Sequence, residues 1–350
     1  MATLNIAALG AIMTYKFGPE IYRQWNRTVT LGRRLTVVPG AGKDCSWPVE
    51  FSGITAEAAQ EGEDIDSTEY TNDTDDDAHE SWATYRSAFQ VSEQAFDAAV
   101  TSGGDPEILF DLFADKVMTH SATIAKKIES DLIVGTGTRT VRGNSVPTIV
   151  GLLGGALATS GTHAGIAISG AAEWASNHLS NGAVDRPLTA ELLAAAARAV
   201  FDDSGADFGG FLATTAAIAD KYEGLWGQRL QVNLGGAADI GATNLAWRGH
   251  EIVKVADMTT KNLVLVDPGE LELRFLPFSQ MTRREAVTFM ENVRKVAGTA
   301  DGRSFNLTNL PVRIALLGKA GDSLKCTLRT TVQLVVKRPN RMCRISDIAE

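Results

Sequence analysis

Residues 102–138 read SGGDPEILFDLFADKVMTHSATIAKKIESDLIVGTGT, and this stretch decides the fold. Two glycines precede Asp105-Pro106-Glu107. That order suits a helix start, with Asp105 as N-cap, Pro106 at the first helical position and Glu107 facing the positive end of the dipole. No Gly or Pro interrupts the chain from there to Val134, and Gly135-Thr136-Gly137 ends the run. Leu109, Phe113, Val117, Ile124, Ile128 and Leu132 recur close to the helical period. Asp111, Asp115, Lys116, Lys126, Lys127, Glu129 and Asp131 fall mostly off that stripe. About thirty residues at ~1.5 Å rise make a rod roughly 45 Å long, well above the ordinary globular helix. The spacing therefore predicts a spine, longer than a small enzyme domain needs.

Upstream of the spine, charge is distributed unevenly. The chain of 350 residues has a net charge of −9, which argues against a protein that grips nucleic acid phosphates. Residues 1–45 carry Lys16, Arg23, Arg27, Arg33, Arg34 and Lys43 against Glu20 and Asp44. Residues 46–80 carry twelve acids and no Lys or Arg, and the rest of the chain is close to neutral. A basic arm beside an acidic segment is what self-complementary subunits need; a solvated acidic loop is the plainer alternative. Residues 1–44 read as an extended arm with turns at Gly18-Pro19, Gly32 and Pro39-Gly40, and Tyr22 and Trp25 favour an arm laid on a neighbour. CSWPVEFSG (residues 45–53) alternates as a strand, and SWATYRSAFQVSEQ (residues 81–94) mirrors it across an acidic stretch. Together they predict a projecting hairpin, and a two-stranded ribbon alone is barely stable in water.

Downstream, residues 93–100, 171–179, 188–201, 216–229 and 282–296 read as helices. Strands are expected at 208–215, 245–255, 263–267, 270–278, 310–317 and 323–337, with a turn-rich stretch at 138–170 and a basic tail of Lys337, Arg338, Arg341 and Arg344. This order of elements is α+β with an insert and has no internal repeat.

Chemistry is sparse. GLLGGALATSGTHAG (residues 151–165) has neither Walker nor Rossmann spacing, so a loop is expected. His79, His120, His163, His178 and His250 are scattered without metal-ligand spacing. The acids Asp73–Asp77 lack the Gly and distal Glu of a calcium loop. Cys45, Cys326 and Cys343 are far apart and odd in number, which fits buried thiols in a reducing compartment. No secretion signal or membrane span is read in the chain. No catalytic, cofactor-binding or metal-ligating residue is expected.

The order of elements, carried by CSWPVEFSG, EGEDID, the run YRSAFQVSEQAFDAAVTSGGDPEILFDLFADKVMTHSATIAKKIESDLIVGTG and AWRGHEIVKVADMTTKNLVLVDPGELEL, resembles the major capsid proteins of tailed double-stranded DNA bacteriophages, with the Hong Kong 97 fold. The likeness covers roughly residues 20–280. It implies an N-terminal arm (1–45), an extended hairpin loop (46–91), a peripheral domain (92–150) with its spine helix (105–134), and an axial domain (151–265). Returning strands, a helix and closing peripheral strands would fill 266–350. It implies a structural subunit, not an enzyme, that assembles with itself into pentamers and hexamers of an icosahedral head. Scaffolding, portal and decoration proteins would be its other partners, with double-stranded DNA held only by enclosure and no membrane involved. The location implied is the virion, assembled in the host bacterial cytoplasm. Some relatives staple neighbours through a loop lysine, but no Lys lies between Lys43 and Lys116 here, so that chemistry is not expected from this tip. The chain begins directly with the arm, which implies a separate scaffolding protein or none. The acidic tip (Glu61, Glu63, Asp64, Asp66, Asp73, Asp75, Asp76, Asp77) is expected to dock on another copy. Its candidate receivers are Arg23, Arg27, Arg33, Arg34, Arg283, Arg284, Arg338, Arg341 and Arg344. An encapsulin-like compartment shell is the alternative within the fold, and a soluble enzyme with a Gly-rich ligand loop is the alternative outside it.

Overall fold

Residues Pro106–Val134 form one α-helix of 29 residues (α1). In this computed structural model the described residues are 30–51, 74–92, 106–226, 246–277, 312–319 and 323–350. Val117, Ile128, Leu132 and Ile133 on α1 are fully buried, and Ile124 nearly so, so the apolar stripe is the face turned to the core. The helix closes where the Gly135 N–H donates to the Asp131 carbonyl at 2.9 Å. The expected N-cap Asp105 lies outside the described residues.

Four strands precede α1: β1 (Thr36–Pro39), β2 (Cys45–Phe51), β3 (Thr74–Glu80) and β4 (Ala83–Ser92). After it come β5 (Thr136–Val141), β6 (Asn144–Val150), β7 (Thr162–His163), β8 (Ile166–Ala167) and β9 (Asn177–Leu179). Next are α2 (Ala190–Ser204), β10 (Phe211–Thr214), α3 (Ala216–Trp226), β11 (Ala246–Trp247), β12 (His250–Lys254) and β13 (Leu263–Val266). The last are β14 (Leu271–Phe275), β15 (Arg313–Lys319), β16 (Ser323–Val336) and β17 (Cys343–Ile345).

Two sheets organise these strands into a mixed α+β fold. One runs β1-β14-β16-β15, with β4 also paired to β16. Its inner face packs on α1 through Tyr85, Phe89, Leu273, Phe275, Leu328 and Val332. The other runs β11-β12-β10-β13-β17-β9, and α2 and α3 cover it through Leu193, Val200, Ile218 and Tyr222. Its interior strand β13 reads LVLV and is buried at all four positions, as a strand covered on both faces must be. α2 carries its own punctuation: the Thr189 hydroxyl accepts from the Leu192 N–H at 3.2 Å, and Gly205 closes the helix in the left-handed region.

The structure departs from the sequence-based expectations in five places. The ribbon pairs β2 with the acidic strand β3, while residues 83–92, expected as its return strand, pair with β16 over ten positions. The cause is burial: Ala83, Tyr85 and Phe89 supply an apolar face that the α1 core takes up, whereas TDDDAHE offers only Ala78 to the interior. Residues 31–39 belong to the body and are not a free arm, because Leu31 and Leu35 are 1% exposed and β1 pairs with β14. Residues 171–179 form a 3₁₀ turn (Ala172–Trp174) and then β9, not a helix. Part of the turn-rich stretch is the hairpin β5–β6. Finally, β17 joins the second sheet beside β13, so the chain end does not stay with β15 and β16. The expected helices at 93–100 and 282–296 lie outside the described residues.

Candidate inter-subunit surface

The ribbon β2–β3 has a seated root and an exposed outer half. At the root Cys45, Trp47 and Ala78 are at most 4% exposed and pack on Ala164, Ile166, Trp174 and Val335. The His79 N–H donates to the Ala164 carbonyl at 2.9 Å, and the Arg274 guanidinium donates to the Ser46 carbonyl at 2.8 Å. Gly165 sits at φ +84°, and a Cβ there would run into the His79 imidazole. Further out, Glu50, Asp76 and Asp77 are exposed. Asp75 stands opposite Glu50 in the register, so acids face one another across the ribbon. Like charges directly opposite destabilise a strand pair, and this outer half gains nothing from folding back on its own chain. Glu61, Glu63, Asp64, Asp66 and Asp73 lie outside the described residues.

Of the expected receivers, Arg23, Arg27, Arg283 and Arg284 lie outside the described residues, and of Arg33 only the backbone is described, in a 3₁₀ turn. The other four are engaged within their own chain. Arg34 grips Glu251 through two bonds of 2.7 Å and covers the Phe211 ring, which ties the arm root to the second sheet. Arg338 holds Glu270, with Nε at 3.0 Å. Arg341 pairs with Asp267 at 3.1 Å, and the Arg344 Nε donates to the Asn262 side chain at 2.9 Å.

A feature that sequence reading missed is the anchorage of the arm root. The Glu129 carboxylate, 5% exposed on α1, accepts from the Thr30, Leu31 and Gly32 N–H groups at 2.9, 2.6 and 3.0 Å. Three successive backbone donors around one anion form a nest. Burial pushes the carboxyl upward, and the three N–H bonds oppose that. A charge off the apolar stripe was the available signal, but its partner lies almost a hundred residues away.

The Gly-rich run is backbone packing. The Gly151 N–H donates to the Gly135 carbonyl at 2.7 Å, and a Cβ at Gly154 would collide with that same carbonyl. His163 is 4% exposed against Trp174, with its Nε2 lacking a hydrogen-bond partner, and burial lowers its pKa to about 4. His120 accepts or donates at Ser87, 2.6 Å away, and stacks on Phe89. Burial pushes the thiols of Cys45 to about 11 and of Cys326 and Cys343 to about 12, so all three stay protonated and unreactive. Among the described residues no three His, Cys, Asp or Glu come together to hold a metal ion, and no helix is long and apolar enough to cross a membrane.

The family model described as SU10 major capsid protein matches residues 28–301. Among solved structures, the capsid asymmetric unit of cyanophage A-1(L) superposes with a TM-score of 0.64 at 20% identity, covering 92% of each chain. The capsid of an empty GTA particle gives 0.56 at 13% identity, covering 92% of this chain and 90% of that one. The holo-SrpI encapsulin complex from Synechococcus elongatus gives 0.50 at 11% identity, covering 92% and 89%. At these identities the likeness shows the fold alone, which is the Hong Kong 97-like capsid fold. No curated protein matches the chain in sequence. The family match spans far more than half of the chain, including the ribbon, the spine and every strand of the second sheet except β17. The chain therefore belongs to the SU10 major capsid protein family, a structural shell protein of the virion and not an enzyme.

Proposed function

We propose that this subunit assembles with itself into pentamers and hexamers that close an icosahedral head around packaged double-stranded DNA. In this reading the α1 spine and the five-stranded sheet form the peripheral domain. The six-stranded sheet, completed by β17, forms the axial domain around which capsomers gather. The acidic ribbon of one subunit lies across a basic surface of another. The observation that carries it is the division of the β2–β3 ribbon into an apolar seated root and an acidic outer half. Affinity comes mainly from buried apolar surface, at about 25 cal/mol per Å², because each exposed ion pair adds only ~0–1 kcal/mol. Charge sets register and suppresses wrong contacts. A net charge of −9 disfavours a subunit that grips DNA, so the genome is held by enclosure. Scaffolding and portal proteins, with or without a decoration protein, are the expected partners, and three free buried thiols suit assembly in the host cytoplasm.

Expression of the chain followed by negative-stain microscopy tests the shell. Changing Asp73, Asp75, Asp76 and Asp77 together to Asn is expected to leave the subunit folded by circular dichroism while altering particle yield or shape. Normal particles from that variant at every salt concentration refute ribbon docking. The likeness to an encapsulin supports a second reading, a compartment that packages protein. Purified particles holding enzyme cargo and no DNA are its mark.

A further inference from the structure

The open face of the five-stranded sheet carries a row of arginines. Arg86 on β4 lies directly opposite Arg329 on β16, and Arg329 lies directly opposite Arg313 on β15. Residues directly opposite share a face, with Cβ atoms ~5 Å apart. Three guanidinium side chains therefore stand side by side across three strands, spanning ~10 Å at ~4.8 Å per strand. All three are exposed, and Lys325, four residues along β16 on the same face, is exposed too. Among the described residues none of these four makes an ion pair. The alternate residues Cys326, Leu328 and Thr330 are at most 1% exposed in the core, so the strand register fixes the cations outward. Two consecutive like-charge pairs weaken an isolated subunit. An anion laid across such a row relieves that repulsion.

The far half of the same face shows what covers it. Thr331, Gln333 and Val335 continue that face of β16 and are 8%, 1% and 0% exposed. Val335 packs on Cys45, Trp47 and Trp174, the Gln333 amide donates to the Ser81 carbonyl at 2.8 Å, and Arg274, opposite Gln333, donates to Ser46. The subunit's own ribbon root thus covers one half of this face, and the arginine row occupies the uncovered half. Each copy presents its ribbon from the face that holds the row, so a head-to-tail contact repeated around a ring satisfies both.

We propose that Arg86, Arg313 and Arg329 are the receiver for the acidic ribbon of a second copy, contacting the carboxylates of Glu50 and Asp77, which share one face of that ribbon. This rests on the shell reading and names the surface to which the ribbon docks. The occupant follows from charge complementarity: residues 46–80 hold twelve acids and no Lys or Arg. The six steps from the root to the end of β2 carry those acids ~20 Å outward at ~3.4 Å each. Four arginines expected to receive the tip are engaged in their own chain, whereas this row is not.

Two variants of the full chain test it. The first, Arg86→Ser with Arg313→Ser and Arg329→Ser, is expected to melt no lower than the parent, because like-charge repulsion is relieved, and to give at least tenfold fewer particles. The second, Arg329→Lys, is assembled from a mixture of ¹⁵N- and ¹⁴N-labelled copies and treated with a carbodiimide, which joins an amine to a carboxylate at zero length. Cross-links from Lys at position 329 to residues 50–77, with mixed isotope labels, are the supporting result. Parent-level particle yield from the triple variant, or cross-links found only within one copy or elsewhere, overturns the assignment. Particles that form normally but lose their nucleic acid overturn it as well, by making phosphate the ligand. If the triple variant assembles while the Asp-to-Asn chain does not, the ribbon docks on another surface. If the parent chain forms no particle even when co-expressed with its scaffolding protein, the proposed self-assembly fails with it.

Discussion

Glu129 shows how one side chain fixes where a long arm leaves the body. Its two oxygens take three consecutive backbone N–H groups at the arm root, a job for which both must be acceptors. Glu129→Gln puts an NH₂ group among donors, so the subunit is expected to lose roughly 1–3 kcal/mol, read from urea unfolding at pH 7. Limited proteolysis should then cut near residue 30 faster than in the parent. His163 supplies a pH dependence of definite sign. Burial holds its folded pKa near 4, below the ~6.5 of an unfolded chain, so unfolding takes up a proton between those values. The stability from the neutral ring is full above pH ~6.5 and falls as pH drops toward about 4. Its full size is about 3 kcal/mol, at ~1.4 kcal/mol per pKa unit. His163→Phe keeps the stacking on Trp174 and is expected to flatten stability between pH 7 and 4.5, measured by the urea midpoint at each pH. An unchanged slope in that variant rules out His163 as its origin.

Elements whose signals are local were legible in advance. α1 and α2 announce themselves by stripe, cap and closing glycine, and the strand 323–337 by its length and β-branched run. What could not be read was pairing. TDDDAHE has poor strand propensity and becomes a strand because Cys45, Trp47 and Ala78 seat the ribbon on Trp174 and Ile166. β17 joins β13 across almost eighty residues, and nothing near Cys343 signals that partner. The Gly-rich run was read as a loop, yet part of it is a joint between α1 and the start of the second half. Gly154→Ala tests that joint. Its added methyl meets the Gly135 carbonyl, and overpacking of this kind costs about 1–3 kcal/mol, seen as a lower melting temperature. Gly161→Ala, where no atom lies within 4 Å of the new Cβ, isolates backbone strain at positive φ from the clash.

Across the whole molecule, charge does two different jobs, and only one is visible from composition. The contrast between a basic arm and an acidic segment is plain in the sequence. Which cations remain open is not, because it depends on register. Arg86 lies more than two hundred residues from Arg313 and Arg329 in sequence and meets them only through β4, β16 and β15, while Arg34, Arg338 and Arg341 are drawn into pairs that hold one subunit together. These two sets respond differently to salt. Screening shortens the Debye length from ~10 Å at 0.1 M to ~3 Å at 1 M, so the part of assembly that depends on the acidic ribbon fades while apolar burial persists. Particle yield of the parent chain should therefore exceed that of the Asp73, Asp75, Asp76, Asp77→Asn variant most strongly at low salt, and the two should converge toward 1 M. Light scattering of assembly reactions across that range reads the difference directly. A gap that stays constant with salt assigns the ribbon's effect to shape and apolar contact, and removes electrostatic docking from the mechanism.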